Sequence, residues 1–98
     1  MAIVIESTFH GQGATLENYD RAVTILGGTP GGPYPDPGCL FHWVTGISGG
    51  FRITNVFKTK QGFETFAAEK LGPVRVQVGL PQPQNKFIDV ARFMTAGS

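Results

Sequence analysis

One cysteine, Cys39, stands among the 98 residues, so no disulfide can close within the chain. Two histidines accompany it, His10 and His42. No H-x-x-x-H, C-x-x-C or Glu-x-x-His spacing occurs, and a structural metal site needs about three or four protein ligands. His42 with Glu6 or Asp89 from neighbouring strands is the grouping on offer, and no metal is expected. Charge is scarce too: eight Lys+Arg against seven Asp+Glu leave a formal net charge of +1. That balance excludes a basic nucleic-acid surface and a polybasic membrane patch. No apolar run nears the roughly 18–20 residues that span a bilayer. Met1–Ser7 lacks the basic and apolar regions of a secretory signal, so a cytoplasmic protein is expected. Gly11-x-Gly13 lacks the rest of a dinucleotide fingerprint, and Gly46–Ile47–Ser48–Gly49 is one residue short of a nucleophile elbow.

What remains is a chain with 41% apolar residues, enough for a folded domain over 1–98 with a modest core. Ala2–Phe9 is rich in β-branched residues and reads as a strand, with Ile3–Val4–Ile5 suited to a central position. Leu16, Tyr19, Val23 and Leu26 recur at helical spacing. Thr15 stands as N-cap, and Gly27–Gly28 as the stop. Residues 27–38 hold five Gly and four Pro, a stiff loop with no regular element. Cys39–Thr45 and Phe51–Thr59 read as two strands of a hairpin around Gly46–Gly50. With Thr45 opposite Phe51, Phe41, Trp43, Phe51, Ile53, Asn55 and Phe57 share one face, and His42 and Arg52 lie on the other. A slip of one residue swaps that grouping between the strands. Gln61–Leu71 is a second amphipathic helix with Phe63, Phe66, Ala67 and Leu71 on one stripe, capped by Thr59. Val74–Val78 alternates like a strand. Lys86–Met94 reads as the last strand, and Thr95–Ser98 as a tail.

This order is the ferredoxin-like βαββαβ plan: an α+β fold with a four-stranded antiparallel sheet and two helices on one face. The other face, part apolar, stays uncovered. A second copy of the chain would cover it, so a homodimer is expected.

The residues Gly38-x-Leu40-x-His42, Gly50 with Val56–Phe57-x-Thr59, Phe63-x-x-Phe66 and Leu71-x-Pro73 carry a resemblance. The chain resembles small bacterial proteins of the dimeric α+β barrel superfamily. That group includes antibiotic-biosynthesis monooxygenases, stress-responsive barrel proteins, polyketide cyclases and haem-degrading enzymes. The resemblance covers nearly the whole chain in element order, and its motifs run from about Gly38 to Pro83. It implies two sheets facing each other across a dimer axis, and a second helix that continues through Pro73–Val78. Related proteins often carry Trp where this chain has Phe57. Haem degradation does not fit: Gln61–Val78 contains neither His nor Trp, and Phe66 occupies the Trp position.

His42 is the residue with most chemistry. Mid-strand between Phe41 and Trp43, it is either a hydrogen-bonded structural histidine or a general base in a pocket. Asn55 is unfavourable in a strand and so has a polar partner or a ligand to serve. The resemblance implies that an Asn and a Trp help to hold substrate and dioxygen, parts that Asn55 and Trp43 would take. Arg52 either binds an anionic group, pairs across a dimer or rests in solvent. Tyr19, Phe57 and Phe66 are expected as pocket walls or core. Cys39 reads as a small buried residue. Two functions follow. One is a cofactor-free monooxygenase or cyclase acting on a small aromatic or polyketide-like compound, with His42 and Asn55 catalytic. The other is a non-catalytic, stress-associated barrel that binds a small hydrophobic ligand or a partner. No cofactor is expected in either.

Overall fold

The computed structural model describes residues 1–29 and 31–94. Pro30 of the expected loop and the expected tail Thr95–Ser98 lie outside the described residues. Strands β1 (Ile3–His10), β2 (Cys39–Ile47), β3 (Gly50–Phe57) and β4 (Gln84–Asp89) form one antiparallel sheet in the order β2-β3-β1-β4. Helix α1 (Leu16–Ile25) follows β1, and α2 (Lys60–Phe66) and α3 (Gly72–Val78) follow β3, joined by a π-turn over Ala67–Leu71. This is the ferredoxin-like arrangement. Among the described residues no helix is long and apolar enough to cross a membrane.

Local chemistry places each element. Thr15 Oγ1 accepts from the Asn18 amide at 3.1 Å, and Thr59 Oγ1 from the Gly62 amide at 3.0 Å, so both threonines cap the helices that follow them. On α1 the most buried residue is Ala22, while Leu16, at the start of the expected stripe, is exposed. The alternation of Val74–Val78 yields to a helix. Pro73 has no N–H and its ring would strike the carbonyl four residues back. The π-turn opens that step, since the Gly72 N–H reaches back to the Ala67 carbonyl. Val74 and Val78 then face the sheet, one helical turn apart, and Val76 is exposed. The last strand is shorter than its sequence pattern and ends at Asp89.

The hairpin register differs from the expected one by a residue. Ser48 and Gly49 alone make the turn, with Gly49 at φ +78°, so Ile47 faces Gly50 and Gly46 faces Phe51. His42 therefore pairs with Asn55, and Val44 with Ile53, on the helix side. Trp43 pairs with Thr54 and Thr45 with Arg52 on the open side. Gly50 must lack a side chain, because a Cβ there would collide with the Phe9 carbonyl oxygen. A bulge between Cys39 and Phe41 resets the phase, so Cys39 pairs with Phe57.

Two apolar clusters form on the helix side. Phe9, Phe51, Ala22, Val74, Val78 and Leu80 make one, and Ile3, Ile5, Phe57, Phe63 and Phe66 the other. Leu26 packs against both.

Candidate functional site

Between the clusters lies a cavity of about 650 Å³, floored by the sheet and walled by α1, α3, the π-turn and the Gly/Pro-rich loop. That volume suits a small organic ligand. At its β2–β3 side the paired residues His42 and Asn55 form the centre of a hydrogen-bonded chain. Asn55 Oδ1 lies 2.6 Å from His42 Nδ1, and His42 Nε2 lies 2.5 Å from the Tyr19 hydroxyl. An amide oxygen only accepts, so Nδ1 carries the proton and Nε2 presents its lone pair to the Tyr19 O–H. The sheet register supplies one half of this chain and α1 the other.

Burial shapes the electrostatics. Desolvation lowers the His42 pKa from 6.5, although the Asn55 hydrogen bond opposes it. The imidazole is thus neutral at pH 7 and able to accept a proton. Burial, with a smaller push from Asp20, raises the Tyr19 hydroxyl to about 12, which keeps it a donor. Asn55 is 3% exposed. Its Nδ2 has no hydrogen-bond partner among the described residues, and no side-chain polar atom there is both sealed from solvent and unpaired. The amide N–H groups of Asn55 therefore open on the cavity, a ready donor pair for a ligand oxygen.

Tyr34 is the site residue that the sequence did not mark. Its ring packs on His42 at 4.6 Å between centroids and meets Phe57 and Phe66 edge-on. Burial is the first cause that raises its hydroxyl pKa, with Cys39, Tyr19 and Asp36 adding to it. A lone tyrosine among prolines and glycines was the available signal. Cys39 also lines the cavity. Its thiol donates to the Phe41 carbonyl at 3.2 Å and lies 3.9 Å from Asn55 Oδ1. Burial raises it to about 11, against the opposing backbone bond, so the thiolate is disfavoured.

The structure brings Tyr19, His42 and Asn55 together. Phe57 and Phe66 lie in the apolar cluster beneath Tyr34 rather than on the cavity wall. Trp43 stands on the open face of the sheet, 50% exposed. Arg52 is on that face too, where its Nε donates to Thr8 Oγ1 at 3.1 Å. Among the described residues no three His, Cys, Asp or Glu side chains gather as a metal would require.

No protein-family model matches the chain, and no curated protein shows significant similarity to it. Solved structures do resemble it. One is a provisionally assigned antibiotic biosynthesis monooxygenase from Deinococcus radiodurans, with TM-score 0.61 and 15% identity over 100% of both chains. Another is an asparagine-to-alanine variant of SnoaB, a cofactor-independent oxygenase from Streptomyces nogalater. Its TM-score is 0.59 and its identity 15%, over 97% of this chain and 96% of that one. At that identity the likeness is one of fold, the same fold that the strand order and the helices on one face describe.

Proposed function

We propose that this protein is a cofactor-free monooxygenase that acts on an aromatic, polyketide-like compound with an acidic C–H or O–H group. The observation that carries this reading is the Tyr19–His42–Asn55 chain on the wall of a ligand-sized cavity. Neutral His42 takes the substrate proton at Nε2, either directly after the Tyr19 hydroxyl swings aside or through that hydroxyl. Asn55 Oδ1 keeps the tautomer and stabilises the imidazolium that forms. The Asn55 N–H groups bind the oxygen on which the substrate's negative charge develops. The resulting carbanion supplies the electrons for dioxygen. A C–O bond forms to give a hydroperoxide, which loses water, so that a CH₂ group and O₂ become C=O and H₂O. Apolar walls shield the anion from bulk water. The oxygenase described for the SnoaB neighbour supports the reading without fixing the substrate.

We also propose that the chain works as a homodimer through the open sheet face. Trp43, Ile88 and Phe93 are exposed on or beside it, and Phe93 packs edge-on against Phe41. Such a surface is covered at low cost by a copy of itself.

The test is oxygen uptake with 1,8-dihydroxyanthrone, whose CH₂ group is doubly benzylic and acidic. One O₂ consumed per quinone formed is the expected result. His42→Ala should lower the rate by about 10²–10⁴-fold while the fold persists. A rate equal to that of the free anthrone, or one unmoved by His42→Ala, contradicts catalysis. Tight binding without turnover would favour the ligand-binding barrel.

A further inference from the structure

The polar residues of the cavity floor do not stop at Asn55. On the helix side His42 pairs with Asn55, Asn55 with Ile5, Ser7 with Ile53, and Ser7 with Asn85. Register therefore draws His42, Asn55, Ser7 and Asn85 into a diagonal that crosses all four strands. Each of the four lines the same cavity. Ser7 is 6% exposed and sits between Ile5 and Phe9 on its own strand. Among the described residues its hydroxyl has no side-chain partner, yet no sealed unpaired oxygen exists, so Oγ opens on the cavity. A buried hydroxyl without a bond is unfavourable unless an occupant of the cavity supplies one.

The same cavity holds Arg75. It lines the cavity from the last turn of α3. Nη1 donates to the Leu80 carbonyl at 3.1 Å, which ties the guanidinium to the segment leading into β4. The other N–H groups have no protein partner among the described residues. A planar guanidinium fork with donors to spare in the cavity wall matches a carboxylate. The cavity lining also holds a negative charge, Asp20, beside Tyr19, whose pKa it raises. An acidic group is repelled by Asp20 and attracted by Arg75.

We propose that Ser7, Arg75 and Asn85 form a second subsite that binds a carboxylate carried by the aromatic substrate. This rests on the catalytic reading above and fixes the substrate's orientation. Neighbouring strands are about 4.8 Å apart and the diagonal steps about 6.8 Å along them, so Asn55 on β3 and Asn85 on β4 are separated by about 12 Å across the floor. The carboxylate lies at that distance from the reacting ring, a span that two or three fused rings bridge.

Calorimetric titration with anthraquinone-2-carboxylate and with its neutral analogue anthraquinone-2-carboxamide tests the subsite. The native protein should bind the carboxylate at least about tenfold more tightly, the value of one charge-assisted contact. Arg75→Gln should bring the two ligands to parity without weakening the carboxamide, and Arg75→Lys should restore part of the preference. Equal binding by the native protein overturns the subsite and leaves the catalytic reading standing. So does a preference that survives Arg75→Gln. Failure of both ligands to bind overturns the aromatic pocket, and the subsite with it. The native comparison needs no variant, so it holds even if a substitution loosens α3.

Discussion

On the helix side of the sheet, His42 and Asn55 are shielded by rings and joined to each other; on the open side, Arg52 and Thr8 are half-buried and paired across the strands. His42 and Asn55 share a 2.6 Å hydrogen bond with aromatic rings packed over it. One residue along, Trp43 is half exposed, and Arg52 reaches Thr8. The same two strands thus carry a desolvated base on one face and a wet, part-apolar surface on the other. Desolvation separates them. It lowers the His42 pKa, and the Asn55 amide beside it keeps a donor pair that opens on the cavity. The closed face suits chemistry, and the open face suits association.

Truncation on each face should separate the two sides most strongly. Phe57 is 0% exposed and touches Tyr34, Phe63 and Phe66. Phe57→Ala should cost about 3–5 kcal/mol in urea unfolding. Trp43→Ala should cost the protomer less, and show instead as a loss of dimer in analytical ultracentrifugation. Equal losses in unfolding from both variants would mean that the two faces are not distinct. A smaller effect is expected at the join. Asn55→Ala leaves the His42 Nδ1–H without its acceptor and should cost about 1–3 kcal/mol, with turnover lost as well. Full activity in that variant would reduce Asn55 to a structural role.

Much of the fold was legible because local signals agree. The β-branched run of β1, the capping threonines and the glycines that end α1 each have one reading. The hairpin register was not legible, because Gly46–Ile47–Ser48–Gly49–Gly50 permits turns of several lengths. The two-residue turn that forms moves β2 by one position and carries His42 from the open face to the Asn55 side. A pair made by register has no sequence spacing to betray it. The helix over Pro73–Val78 came from the resemblance and stands, while the local pattern pointed to a strand for another reason. Its valines alternate, but only Val74 and Val78 are buried, and the π-turn that accommodates Pro73 has no sequence pattern of its own. Tyr34 lies in a loop without periodicity, so nothing local points its ring at His42. Ser7 and Arg75 belong to a strand and a helix end, and only the tertiary fold shows them in one cavity.

The central claim is that His42 is a neutral base with its lone pair at Nε2. Nitrogen-15 NMR of histidine-labelled protein tests it directly through a pH titration. The expected result is the Nδ1–H form at pH 7 and protonation below the ordinary value of 6.5. Because the unfolded chain then binds more protons than the folded one, this group lowers stability as pH falls through 6.5 and adds nothing to the slope well above it. A proton on Nε2, or a His42 titration above 6.5, would rule out a desolvated imidazole with its lone pair at Nε2.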